Sequence, residues 1–147
     1  MVEIMRSNKK TSKKGEFTIK RSDLSCSQPY LNQKKCEAIK KMTIEELSFP
    51  VFKFQGKYYL TDGHSRAFIC DKEELTVYLD RDLRHPTQRK AYETYVKWTL
   101  ALGVKSIDDL ADHIVDEKEF EKLWINRCTE YYADLQANLE RLSSKYR

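Results

Sequence analysis

The chain has 147 residues, within the usual size of one domain, and its four glycines and three prolines exclude a low-complexity or loop-rich β architecture. With 40% hydrophobic residues it can build a core, and with 34% charged residues it predicts much solvated helix surface. The formal net charge of +4 resides in residues 1–15, where Arg6, Lys9, Lys10, Lys13 and Lys14 face only Glu3; taking these from totals of 27 basic and 23 acidic leaves 22 of each in residues 16–147. A neutral body argues against a large nucleic-acid footprint and restricts nucleic-acid contact to weak binding by the basic end. No apolar run approaches the roughly 20 residues of a membrane span, and no apolar segment follows the basic N-terminus as in a secretory signal, so a cytoplasmic protein with no membrane partner is expected.

In chain order, residues 1–15 read as a disordered basic tail. Phe17 and Ile19 alternate with polar residues and predict a strand over Glu16–Lys20, followed by loop through Ser22-Asp23-Leu24 and Ser27-Gln28-Pro29-Tyr30. Asn32 is a good N-cap for a helix over about Gln33–Met42, with Cys36, Ile39 and Met42 at helical spacing. Phe49–Phe54 and Lys57–Thr61 are strand-forming, and Gln55-Gly56 between them fits a two-residue hairpin turn. A short helix over His64–Asp71 and a strand over Leu75–Leu79 complete the first half. Pro86 and Gly103 bracket a helix with Tyr92, Tyr95, Val96, Thr99 and Leu100 on one stripe. Ser106 caps a short helix, and Asp116 a long one whose stripe runs Phe120, Leu123, Trp124, Cys128, Tyr131, Leu135, Leu139 and Leu142. That stripe is a packed bundle face whose far end offers a homodimer seam. The fold class that follows is α+β: a small mixed sheet with short helices over 16–85, and a helical extension over 86–147 packed on it.

Cys26, Cys36, Cys70 and Cys128 lack C-x-x-C spacing and have no histidine at ligand spacing, so reduced thiols and no zinc are expected. Haem and flavin are not expected either. Chemistry concentrates in Asp62-Gly63-His64-Ser65-Arg66, where a strand ending in Tyr58-Tyr59-Leu60-Thr61 meets a helix start. Helix-start N–H groups lack intrahelical acceptors, the helix dipole adds positive potential, Gly63 admits close approach, and Arg66 offers a planar fork for phosphate or carboxylate. The junction is therefore read as an anion site.

The junction in its setting resembles the N-terminal domain of the ParB/sulfiredoxin superfamily. The resemblance rests on the strand and Gln28-Pro29 loop, the hairpin Phe49-Pro50-Val51-Phe52-Lys53-Phe54-Gln55-Gly56-Lys57-Tyr58-Tyr59-Leu60, the turn Asp62-Gly63-His64-Ser65-Arg66-Ala67, and the strand Thr76-Val77-Tyr78. It covers residues 16–80. With Leu123-Trp124-Ile125-Asn126-Arg127-Cys128, the chain also looks like a group of small bacterial ParB-like proteins. In the superfamily the Gly-x-x-Arg turn holds nucleotide phosphates, for CTP hydrolysis, for ATP-dependent sulfinic acid repair, or for phosphorylation of free serine.

The resemblance implies a nucleoside triphosphate with Mg²⁺, bound by Gly63, His64, Ser65 and Arg66. His64 matches the first histidine of the serine-kinase form and is the candidate acid–base group. Asp62 is an N-cap candidate and, with a nucleotide bound, a candidate Mg²⁺ ligand. His64 stands where sulfiredoxin has its cysteine, and Tyr30 stands where ParB proteins often carry arginine. Three functions follow: a nucleotide-dependent kinase or NTPase, a non-catalytic regulatory or protein-interaction module on the same fold, and a DNA-associated protein using its basic tail.

Overall fold

The computed structural model describes residues 15–42 and 47–145, with side chains through 142. The expected basic tail and its DNA contact lie outside the described residues, Gly15 apart.

In chain order the elements are β1 (Phe17–Lys20), β2 (Leu24–Ser25), β3 (Leu31–Asn32), α1 (Gln33–Lys40), β4 (Ser48–Phe54), β5 (Lys57–Leu60), α2 (His64–Ile69), β6 (Glu74–Leu79), α3 (Pro86–Ala101), β7 (Ile114–Val115), α4 (Glu117–Phe120) and α5 (Asn126–Lys145). Single-turn 3-10 segments lie at Arg21–Asp23 and Arg81–Arg84, a longer one at Ile107–His113, and a π turn over Glu121–Ile125 joins α4 to α5. The class is α+β, as the hydrophobic periodicities require.

A five-stranded sheet runs β1-β6-β4-β5-β2. The β1–β6 and β4–β5 pairs are antiparallel; the β4–β6 and β2–β5 pairs are parallel. Gln55 (φ 51°) and Gly56 (φ 80°) both adopt left-handed backbone, so the β4–β5 hairpin closes through a two-residue turn whose twist matches its strands. Successive β4 residues face opposite sides. Val51 joins Leu24, Leu31, Phe49, Leu60, Ala67 and Val77 in one core, while Phe52 joins Tyr59, Leu83 and Val96 on the other side, where α3 lies. A third cluster forms between α3 and the last helix from Ala91, Tyr95 and Trp124, flanked by Trp98 and Tyr131.

Some local features differ from the sequence expectations. Leu24–Ser25 pairs with Tyr58-Tyr59 as an edge strand where loop was expected, because Leu24 is fully buried and needs its backbone paired. Leu31-Asn32 pairs in parallel with Ile114-Val115, tying the first half to the second. The short helix expected after Ser106 is present, wound as a 3-10 helix over Ile107–His113, and its capping box forms, with the Asp109 carboxylate accepting the Lys105 and Ser106 N–H groups at 2.9 and 3.1 Å. The last helix carries a π turn: its apolar steps from Phe120 to Trp124 to Cys128 are two consecutive fours, and a wider turn keeps them on one face where a 3.6-residue period would drift. Leu100, expected on the α3 stripe, is exposed.

Other expectations hold in detail. The Asn32 side chain accepts the Lys34 N–H at 3.0 Å, Pro86 opens α3, and the Asp116 carboxylate accepts the Glu119 N–H at 2.8 Å. Gly103, at φ 87°, follows the end of α3 in the left-handed conformation that such a stop requires.

Arg21, which no sequence motif marks, is buried under α2. Its Nη1 donates to the Ala67 and Cys70 carbonyls at 2.8 and 2.7 Å, and its Nη2 to the Phe68 carbonyl at 3.2 Å. Its Nε meets Asp108 Oδ1 at 2.9 Å. One cation thus satisfies the carbonyl end of a six-residue helix and sits at the negative end of its dipole. Arg21→Met is expected to lower unfolding free energy by about 2–4 kcal/mol, through the unpaired carbonyls it leaves. Because the Asp108 side chain is largely exposed, Asp108→Asn is expected to cost under about 1 kcal/mol. Urea midpoints of the two variants check the order; equal losses would place the stabilisation in the ion pair.

Candidate functional site

The turn between β5 and α2 is held from both sides. The Thr61 N–H donates to the Pro50 carbonyl at 3.0 Å, and its hydroxyl donates to Asp80 Oδ2 at 2.5 Å. Asp80 Oδ1 accepts the Asp82 N–H, so this carboxylate links the turn to the segment after β6. Gly63 is the residue that caps α2, at φ 76°, and Asp62 accepts the Gly63 N–H through Oδ1 at 2.8 Å. Asp62 therefore bonds one residue short of the N-cap position expected for it.

A Cβ on Gly63 would lie 3.1 Å from Phe49 Cδ1 and 3.3 Å from Arg66 Nη2. The glycine thus serves both the left-handed backbone and a close approach by the arginine. The half-buried Arg66 guanidinium folds back over Gly63, with Nη2 4.0 Å from Asp62 Oδ2. Asp62 and Arg66 consequently face each other across the glycine.

His64 and Ser65 point inward. The imidazole is 3% exposed, and its Nε2 accepts the Ser27 N–H at 3.0 Å, while the Ser27 hydroxyl donates to the Leu60 carbonyl at 2.6 Å. Burial pulls the His64 pKa down to about 4, against a smaller opposing pull from Asp62. The ring is therefore neutral at physiological pH and carries its proton on Nδ1. Ser65 is buried against α1, where its hydroxyl, near the Cys36 thiol, opposes part of the rise that burial gives that thiol's pKa. Burial raises the Cys36 thiol and pushes Cys128 up to about 12, so both stay protonated.

Next to this turn lies a cleft of about 420 Å³. It is lined by Ser27 and Gln28, by Thr61 beside the turn, by Gln88 and Tyr92 of α3, and by Trp124 of the π turn. None of its lining side chains is charged. Its aromatic wall is rigid: the Tyr95 ring centroid lies 5.2 Å from that of Tyr92 and 5.5 Å from that of Trp124, both edge to face. Burial, aided by Asp62 and Asp80, pushes the Tyr92 hydroxyl to about 12, so it remains a donor.

The sequence places the turn correctly but reads the α3 and α5 aromatics only as core. The signal for a cleft was the tyrosines and Gln88, whose polar tips a dry core does not favour. Trp124 is buried and Trp98 half-buried, with the Arg127 guanidinium 3.8 Å above the Trp98 ring. Among the described residues, no group of three or more His, Cys, Asp or Glu is placed to hold a metal ion, and no helix is long and apolar enough to cross a membrane.

No protein-family profile matches the chain. No curated protein matches it. Among solved structures it is similar to the protein Atu1540 from Agrobacterium tumefaciens, at 13% identity and a TM-score of 0.39, over 51% of this chain. The match spans 47% of that protein's own length.

The His64 clip predicts a pH dependence. A histidine whose folded pKa is depressed loses stability as pH falls from its unfolded value near 6.5 to its folded value near 4, because the unfolded chain binds the proton more readily. Stability is full above about pH 6.5 and falls by about 1.4 kcal/mol per unit across that window. Urea midpoints between pH 7.5 and 4, for wild type and His64→Gln, check it. The variant should start lower and show a shallower acid slope; parallel slopes would mean that other groups carry the acid sensitivity.

Proposed function

We propose that the chain is a ParB/sulfiredoxin-like domain that binds a nucleotide, with its phosphates at the Asp62–Arg66 turn and its base in the adjoining cleft. The observation that carries this reading is the cleft itself, which adjoins the turn through Thr61 and is walled by uncharged aromatic and amide side chains. Such walls suit a planar, hydrogen-bonding ring and offer little to a charged group. Arg66, whose guanidinium lies over Gly63 at the edge of the turn, supplies the anion end.

Mg²⁺ would be held by Asp62, an exposed carboxylate at the turn, with the ligand's own phosphates completing the shell. Its charge would offset that of the phosphates. Asp62 would then exchange its distant pairing with Arg66 for the ion.

The non-catalytic form of this reading is favoured over a kinase or NTPase by one observation. His64, the acid–base candidate, is neutral, buried and committed through Nε2 to a backbone N–H. Its position locks the Ser27-Gln28 loop, one wall of the cleft, to the first residue of α2. The site would then report nucleotide occupancy through the packing of α3 on the sheet and of α5 on α3.

Calorimetric titration of ATP, CTP and GTP, with and without Mg²⁺, tests the reading. Wild type is expected to bind at least one of them, Arg66→Ala about tenfold or more weaker, as a lost charge-assisted contact implies. Gln88→Ala should change preference among bases more than overall affinity. No binding of any triphosphate by the folded wild type would reject the reading; phosphate release accompanying binding would restore the enzymatic form.

A further inference from the structure

A second groove lies at the carboxyl ends of the parallel strands β4 and β6, joined to the turn by the hydrogen bond from Thr61 to Asp80. The strands are in register from Ser48 opposite Thr76 to Val51 opposite Leu79; β6 then stops, while β4 continues to Phe54. The 3-10 segment Arg81–Arg84 and the start of α3 cross this step and leave a groove of about 260 Å³. Phe52 and Leu83, from the α3 side of the sheet, give it an apolar floor, and Arg81, Arg84 and Arg89 stand around it.

The three guanidinia are differently held. Arg89 is fixed: its Nε meets Glu93 Oε2 at 3.0 Å, its Nη2 donates to the Lys53 carbonyl at 2.7 Å, and its Cζ lies 5.4 Å from the centre of the Phe52 ring. Arg81 and Arg84 are exposed and make no ion pair among the described residues. They stand three residues apart in a 3-10 turn, where such positions eclipse, so both project from one side. The one carboxylate lining the groove is Asp80, and both its oxygens are already engaged, by the Thr61 hydroxyl and the Asp82 N–H.

With Arg89 paired to Glu93, Arg81 and Arg84 add cationic charge beside an apolar floor, which a bound anion offsets, and the low-dielectric floor strengthens the attraction. Guanidinium forks match phosphate oxygens in pairs, and one fork immobilised in advance loses little freedom on binding. We infer that the Arg81–Arg84–Arg89 groove is a second, independent phosphate-binding site. The phosphate comes either from a free polyphosphate or from the phosphodiester backbone of a nucleic acid. No residue of the Asp62–Arg66 turn lines this groove.

The test uses the full chain and two probes: inorganic pyrophosphate by calorimetry, and a fluorescent 20-nucleotide single strand by anisotropy over a salt series. The variants are Arg81→Gln with Arg84→Gln, both exposed, and Arg66→Ala as the comparison. Wild type is expected to bind at least one probe, the double variant tenfold or more weaker, and Arg66→Ala equally well by this groove. Pyrophosphate binding lost in the double variant, with no oligonucleotide binding sensitive to it, assigns a free polyphosphate. Oligonucleotide binding whose affinity and salt slope both fall in the double variant assigns the nucleic-acid backbone. If the double variant binds both probes as wild type does, or wild type binds neither, the groove is not a phosphate site. Because Arg66→Ala and the double variant act on different sites, loss of triphosphate binding in the former leaves this inference standing, and the reverse holds too.

Discussion

Arg21 is the constraint on which the arrangement of the site rests. A six-residue helix is too short to stabilise itself, since most of its hydrogen-bonding groups belong to its ends. In α2 the carbonyl end is satisfied by one buried guanidinium from the β1–β2 corner. The amino end is fixed by Gly63 and by His64, whose ring holds the Ser27 backbone. Both anchors come from residues 21–27, so the first strands and their corner position the turn that the anion reading depends on. The same guanidinium touches Asp108, beyond α3, which places the helical half and the turn in a single frame.

The fold was largely legible because its signals were local. The alternation in Phe17 and Ile19, the Gln55-Gly56 turn, the Asn32 and Asp116 caps, and the Pro86 and Gly103 brackets each depend on neighbours within a few residues. What escaped the sequence was long-range. Leu24–Ser25 becomes a strand only because Tyr58-Tyr59 lies beside it, and Leu31-Asn32 only because Ile114-Val115 does. Two-residue strands carry no periodicity to detect. The candidate site divided in the same way. Gly63 and Arg66 could be placed by their turn, whereas the inward direction of His64 and Ser65 depends on Ser27 and Cys36, which come from other elements. Polarity at a helix start suggested solvent; the packing of α1 and the Ser27 loop decided otherwise.

The start of α3 separates two surfaces of opposite character. Gln88 and Tyr92 face an uncharged, aromatic cleft, while Arg89, one residue from Gln88, faces a groove ringed by cations. A helix turns about 100° per residue, so neighbouring positions address different neighbourhoods. Segregating the charge in this way keeps cationic side chains out of the cleft lining and leaves ring shape and hydrogen bonding as its means of discrimination. It also explains how a body with balanced charge can present a locally cationic face.

The β3–β7 pairing has a consequence for how the protein comes into being. Leu31 and Ile114 are partners although most of the chain lies between them, and Arg21 reaches Asp108 over a separation of 87 residues. Contacts of this kind close large loops and are reached late on a folding path, since the entropy of closure is lost before the contacts repay it. As the chain leaves the ribosome, the β-strands emerge well before the segment that joins them to the rest. Until residues 104–115 are out, Leu24, Leu31 and the underside of α2 lack the Val104, Ile107 and Leu110 side chains that cover them. The nascent protein therefore passes through an interval in which its sheet exists as sequence but has no completed interior, and its vulnerability to aggregation and proteolysis is set by how quickly the last third is translated.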